Sequence, residues 1–267
     1  MIRVASYNMR KAIGTDRRRR PERTLDVLNQ LDADVVALQE ADRRFGSRTS
    51  AVPLPMIEAH SDYRPVPLDT RAGSIGWHGN ALLVRKGVEV LERHLFHLPS
   101  LEPRGAVLAD VRLDGALLRV VGMHLDLSGL WRRRQAHAIL AHLAERAGAP
   151  PTVLMGDLNE WSSRGGCLRE FAAHHLFAPC GRSFHARRPI AQLDRIMVTP
   201  DLEIVASGAH SSPASRRASD HLPIWAELRL AEEVQPLPPS FSGPSEAPGW
   251  ASKLRSSISS QSRKGRR

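Results

Sequence analysis

Short apolar runs of four to eight residues, rich in Val, Ile and Leu and closed by turn formers, recur from residue 2 to residue 230 and leave room for few helices. Runs this short, bounded by Gly, Asp and Asn, read as strands rather than helices. Strands are predicted at residues 2–7, 35–38, 80–84, 88–95, 106–113, 117–124, 152–155, 193–198, 204–209 and 223–230. Asp114-Gly115 joins two of them as a hairpin, since glycine accepts the positive φ that such a turn needs. Two stretches have helical period. Residues 21–31 open on Pro21 and turn Leu25 and Leu28 inward, and residues 131–146 place Ala138, Ile139, His142 and Leu143 near an inner stripe. Residues 43–76, with prolines at 53, 55, 65 and 67, read as loop. Many strands, few helices and no internal repeat predict an α/β fold in one domain over residues 1–230, with two packed sheets flanked by helices.

The pattern stops near Ala231. Residues 231–267 hold nine Ser, five Pro and three Gly with few apolar residues, which predicts a disordered, basic tail. Within it Trp250, Leu254 and Ile258 have the spacing of a short amphipathic helix beside Lys253 and Arg255, suited to an anionic membrane surface. The tail contributes +3 of the net charge of +10, so the body is itself basic. A positive field favours an anionic partner such as nucleic acid, a phosphorylated metabolite or a lipid surface. With 42% hydrophobic and 25% charged residues the chain is neither collagen-like, wholly disordered nor a disulfide-built miniprotein. The absence of a membrane-length apolar window and of a leader-like start predicts a cytoplasmic protein. Cys167 and Cys180 lie in no CxxC pair and are expected to be free structural thiols. Aromatic residues, at 5%, suggest no stacking platform for single-stranded bases.

Polar residues that can do chemistry close the apolar runs, where a rigid sheet would deliver them to a loop-rich surface. Ser6-Tyr7-Asn8 ends the first and Leu38-Gln39-Glu40 the second. In Gly156-Asp157-Leu158-Asn159, strand period places Asp157 and Asn159 on one side, and Gly156 permits a ligand to approach the backbone. His124 and Asp126 follow the sixth run, Asp194 opens the eighth, and Ser219-Asp220-His221 precedes the last. Singly, each reads as well as a cap, a turn residue or a satisfied core group. Together, Glu40, Asp157, Asp194, Asp220, His124 and His221 form an inventory for a hard divalent cation, a water-activating base and a stabiliser of phosphate charge. No HExxH, CxxC or close His pair suggests zinc, and oxygen-rich ligands favour Mg²⁺ or Mn²⁺.

The blocks SYN (6–8), ALQE (37–40), GNALL (79–83), GMHLDL (122–127), GDLNEW (156–161), LDRI (193–196) and SDHLPI (219–224) resemble, in order and wording, the endonuclease/exonuclease/phosphatase superfamily with its deoxyribonuclease-I-like fold. The segment Arg132–Gln135 is similar to one in small bacterial members. The resemblance implies a four-layer α/β sandwich and metal-dependent hydrolysis of phosphate esters. It implies Glu40 as principal ligand of Mg²⁺ (or Mn²⁺), with Asn8 and Asp220 beside it. It makes Asp157 the group that positions and deprotonates the attacking water, and Asn159 a holder of that water or of the phosphate. His221, oriented by Asp194, would donate to a phosphate oxygen, with His124 a second phosphate contact or leaving-group acid. By its charge Arg10, with Lys11 and the run 17–20, is read as a contact for a second phosphate or a nucleic-acid backbone, and Asn80 is the other candidate substrate contact. Where the superfamily's apurinic-site endonucleases carry an acidic residue two positions after the first Asn, this chain has Arg10. That departure argues against the apurinic-site assignment, and the basic body supports an expected activity of a phosphodiesterase, nuclease-like, on DNA, RNA or another phosphate ester, with no protein partner. The alternatives are a phosphomonoesterase, a phospholipid-directed diesterase, or a catalytically silent nucleic-acid-binding module, which would lack one or more of these residues.

Overall fold

Inward-facing apolar residues alternate along almost every strand of the computed structural model, and that alternation assembles four layers. The structure describes residues 1–43, 49–68, 71–146 and 148–232. The tail residues Trp250, Leu254 and Ile258 lie outside them. In chain order the elements are β1 (Ile2–Asn8), a 3-10 turn (Arg10–Ala12), α1 (Pro21–Leu31), β2 (Val35–Gln39), α2 (Leu54–His60), β3 (Tyr63–Pro65), β4 (Ala81–Arg85), β5 (Glu89–His97), β6 (Gly105–Leu113) and β7 (Ala116–His124). They continue with α3 (Gly129–Ala144), β8 (Thr152–Asp157), α4 (Leu168–Ala172), β9 (Leu176–Phe177), β10 (Asp194–Val198), β11 (Leu202–Ala209), α5 (Ser215–Ala218) and β12 (Ile224–Leu230). Two six-stranded sheets result, ordered β11-β12-β1-β2-β4-β3 and β5-β6-β7-β8-β10-β9. Each has one parallel pair, β1 with β2 and β7 with β8, and is otherwise antiparallel.

Period two sorts the core. Ile2, Val4, Val35, Ala37, Leu82 and Val84 of the first sheet meet Val107, Val120, Val153, Met155, Ile196 and Val198 of the second. The intervening Ala5, Tyr7, Val36, Leu38 and Leu83 face the other way, onto Leu25, Leu28 and Leu31 of α1. Leu108, Val121, Leu154 and Met197 likewise pack against Ala136 and Ile139 of α3 and Phe171 of α4. The sheets touch where side chains are smallest: a Cβ added at Gly122 would stand 3.2 Å from the Ala37 Cβ and 3.2 Å from Leu82.

Several expectations change. The loop of residues 43–76 contains α2 and the edge strand β3. The inner face of α3 begins with Arg132 and Gln135, while Ala138, His142 and Leu143 are only partly buried. Polar residues take that face because they have partners: Arg132 pairs with buried Glu160 at 3.2 Å, and Gln135 Oε1 accepts the Asp126 N–H at 2.8 Å. Gly156 admits its neighbouring strand and not a ligand, since a Cβ there would fall 1.8 Å from the Met123 carbonyl oxygen of β7. Cys167 and Cys180 are free and buried, and burial pushes both thiols up to about 12. Among the described residues no helix is long and apolar enough to cross a membrane.

Candidate active site

The registers bring the polar run-ends to one end of the sandwich. In the first sheet Asn8 lies beside Gln39. In the second, His124 lies beside Asp157, which pairs in turn with Asp194. Asn8, Asp157 and Asp194 lie on the between-sheet faces of β1, β8 and β10, which elsewhere carry the core residues Val4, Val153, Met155, Ile196 and Val198. The site is thus the polar end of the between-sheet layer, and almost all of it is buried: Asn8, His124, Asp157, Asp194 and His221 each expose 6% or less.

One oxygen is the focus. Asp157 Oδ2 accepts from Asn8 Nδ2 at 2.9 Å, and it lies 3.5 Å from His124 Nε2 and 3.7 Å from His221 Nε2. The first of these contacts joins the two sheets. The other oxygen, Oδ1, accepts the Asn159 backbone N–H at 2.9 Å. Asn159 reaches Asp157 through this local turn and not through strand period, because β8 ends at Asp157 and Asn159 sits at φ +49°. Its amide nitrogen donates to the Leu125 carbonyl at 2.9 Å, which fixes the side chain beside the β7 loop.

His221 donates from Nδ1 to Asp194 Oδ2 at 2.8 Å, and Ser183 Oγ donates to the same oxygen. Burial opposes charge on this ring, but the carboxylates of Asp194, Asp157 and Asp220 outweigh it and hold the pKa up at about 10. His124 shows the opposite balance. Burial dominates the attraction of Asp157, and Arg104 adds repulsion, so its pKa falls to about 3. At neutral pH the site therefore holds one imidazolium and one neutral imidazole around a single carboxylate.

Glu40 is partly exposed and ion-paired with Lys11, and it lines a cleft with His124, Asp42, Trp77, His78 and Arg104. Asp220 is paired with Arg10 at 3.2 Å, so the guanidinium faces a carboxylate here. Asn80 is fully buried. Its amide donates to the Gly105 carbonyl at 2.9 Å, which ties the first sheet to the second and leaves no exposed surface for substrate contact. Of the sequence-predicted residues, Asn8, His124, Asp157, Asn159, Asp194 and His221 are linked by the contacts above. Glu40, Asp220 and Arg10 stand in ion pairs of their own.

Asp157, Asp194 and His221 offer ligand atoms within 4.8 Å of one another, a group able to hold a metal ion. Sequence reasoning missed Ser183, which carries no motif, and Trp161 with Phe184. Trp161 stands edge-on to Phe184 at 6.0 Å, and Phe184 lies 5.0 Å from the His221 ring, so an aromatic pair flanks the site despite the low aromatic content. The W of GDLNEW was the available signal.

A four-layer α/β sandwich that gathers these groups at one end defines the deoxyribonuclease-I-like class of folds. The chain belongs to the endonuclease/exonuclease/phosphatase family, whose model matches residues 5–221. The fold is similar to mannosyl-6-phosphatase of Bacteroides thetaiotaomicron, with a TM-score of 0.71 at 19% identity over 86% of this chain and 100% of that one. It is also similar to D. rerio TDP2 complexed with a single-strand DNA product (TM-score 0.66, 18% identity, 85% of this chain and 98% of that one). The catalytic domain of human Nocturnin with bound sulfate is a third (0.65, 18%, 86% and 94%). No curated protein matches the chain in sequence.

Proposed function

We propose that the protein is a divalent-metal-dependent phosphoesterase that hydrolyses a phosphodiester by attack of an activated water. The observation that carries this reading is the convergence of Asn8, His124 and His221 on Asp157 Oδ2, with Asp194 behind His221. That arrangement supplies a fixed base, a cationic donor and a neutral donor within reach of one another. Asp157 accepts the proton of the attacking water while Asn8 and the Asn159 N–H hold its carboxylate in one orientation. His221 keeps its proton at Nε2 and stabilises the charge that builds on the phosphate oxygens, and Asp194 fixes the ring and its charge. His124, uncharged, contributes a neutral hydrogen bond to the phosphate or leaving group.

The chemistry of Glu40, Asp220 and Asn8 fits a hard cation. Glu40, Asp220 and the Asn8 amide oxygen present oxygens only, and both carboxylates already draw a cationic side chain, Lys11 and Arg10. Glu40 with Asn8 and Asp220 would hold Mg²⁺ or Mn²⁺, and the ion would supply Lewis-acid neutralisation of phosphate charge. The expectation of a silent binding module loses support, because that reading needs a missing member and Glu40, Asp157, Asn159, Asp194 and His221 are all present. A phosphomonoesterase is the second reading. The cleft lined by Glu40, His124 and Arg104 and the resemblance in fold to a mannosyl-6-phosphatase favour it.

Purified protein assayed with Mg²⁺, Mn²⁺ or EDTA on plasmid DNA, bis-p-nitrophenyl phosphate, p-nitrophenyl phosphate and phospholipid vesicles tests the proposal. Metal-dependent turnover that Asp157→Asn abolishes supports it, and the preferred substrate separates diesterase from monoesterase. No turnover on any of them under all metals overturns it.

A further inference from the structure

Five of the six most exposed large apolar side chains among the described residues lie at the catalytic end. Leu101, Leu127, Leu130, Trp161 and Ile190 expose between 55% and 69% of their surface, and the sixth is the terminal Met1. They stand on four segments, between β5 and β6, between β7 and the first turn of α3, between β8 and α4, and between β9 and β10. All four leave the same end of the second sheet, since His97 pairs with Gly105, Ala106 with Met123, His124 with Asp157 and Asp157 with Asp194.

Hydrogen bonds and ring contacts then join the four into a continuous rim. The Leu101 N–H meets Asp126, Arg132 bridges the Leu127 carbonyl to Glu160, Trp161 contacts Phe184, and Ile190 N–H donates to the Phe184 carbonyl. Apolar surface gathered in one place marks an interaction site, whereas single exposed leucines do not.

The charge of the same segments selects the partner. Arg164, Arg182, Arg187 and Arg188 are exposed on them. Their carboxylates Asp126 and Glu160 are buried, which leaves Glu102 alone partly exposed. Aliphatic side chains, one tryptophan and several arginines on one face are the composition that lies at the headgroup boundary of an anionic bilayer. A single-stranded nucleic acid would call for successive aromatic platforms, and Trp161 is the one exposed ring among these five apolar residues.

We infer that the catalytic end of the sandwich docks on an anionic lipid surface, with Leu101, Leu127, Leu130, Trp161 and Ile190 entering the headgroup boundary. The docking stands independently of catalysis. Its consequence for substrate rests on the phosphoesterase reading: the scissile ester is presented from the headgroup layer.

The test is co-sedimentation of the full chain with phosphatidylcholine vesicles, with and without about 30% phosphatidylglycerol. It is run beside turnover of soluble bis-p-nitrophenyl phosphate and binding of a thymidine oligonucleotide. Binding to the phosphatidylglycerol vesicles is expected, and Leu127→Glu with Leu130→Glu should lower it by about tenfold or more while soluble-ester turnover is unchanged. Arg187→Glu with Arg188→Glu, on a separate loop, should do the same. Vesicle binding unaffected by both pairs, or oligonucleotide binding lost in both while vesicle binding persists, overturns the inference. Rim-dependent vesicle binding without hydrolysis of any ester would leave the docking standing and remove the phosphoesterase reading.

Discussion

Asp157 answers to two sheets at once. Its carboxylate is buried, hydrogen-bonded by Asn8 from one sheet and Asn159 from its own loop, and faced by two imidazoles in different charge states. Asp157→Asn keeps the shape and removes the carboxylate proposed as the base, so turnover is expected to fall by about 10²- to 10⁴-fold in a steady-state assay. The melting temperature should change far less, and a parallel loss of both would make the residue structural. Glu40, His78 and Asn159 at the site hold left-handed backbone at φ +49° to +54°. Asn tolerates this conformation readily, and Glu does so at a cost that its surroundings must meet. Gly156 is a different kind of residue. Because its missing Cβ makes room for the Met123 carbonyl, Gly156→Ala must part β7 from β8 and is expected to cost about 3 kcal/mol or more by urea denaturation, with His124 and Asp157 displaced together.

The strands carrying the site were legible because they are short apolar runs closed by a polar residue. In VASYN, VVALQ and VLMGD, core residues and polar terminus share a face, and β1, β2 and β8 fall within two residues of the predicted positions. Elements held by polar partners were not legible. The inner face of α3 was misplaced because Arg132 and Gln135 look like solvated residues until Glu160 and the Asp126 N–H are brought to them by the fold. β3, α4, β9 and α5 are too short to show a period. The same blindness covers Asp110 and Arg119, directly opposite in the β6–β7 hairpin and joined by two hydrogen bonds of 2.8 Å in nearly full burial. Asp110→Ala strands the guanidinium and is expected to cost about 3–5 kcal/mol, whereas replacing both residues by Leu and Met should be close to neutral. Equilibrium unfolding of the two variants beside the parent protein decides it, and equal losses in single and double would show that the pair itself stabilises the hairpin.

Across the whole molecule, three buried histidines set how stability follows pH. His124 and His175 have folded pKa values near 3 and 4, lowered mainly by burial, against about 6.5 in the unfolded chain. Between pH 6.5 and 4 the unfolded chain takes up protons that the fold refuses, so stability falls on acidification by about 1.4 kcal/mol per pH unit for each. His221 acts in the other direction. Its folded pKa of about 10 means that its contribution is full below pH 6.5 and is lost as pH rises toward 10. Stability from these groups should therefore peak near pH 6.5, and thermal melts from pH 4 to pH 10 should trace that dome. His175→Leu should roughly halve the acid slope and leave the alkaline limb unchanged, and an unchanged acid slope would refute the assignment.

The spacing between the sheets is itself a setting of the candidate site. Each half of the site is anchored to a separate slab, and the slabs meet at Gly122 against Ala37 and Leu82. A single methyl group there acts as a shim. Gly122→Ala should widen the sandwich by a few tenths of an ångström, lengthen the reach from Asn8 to Asp157, and lower turnover before it noticeably lowers melting temperature. Packing far from the loops thereby becomes a tuning screw for chemistry at their base, one that substitutions deep inside can turn without touching a reactive group.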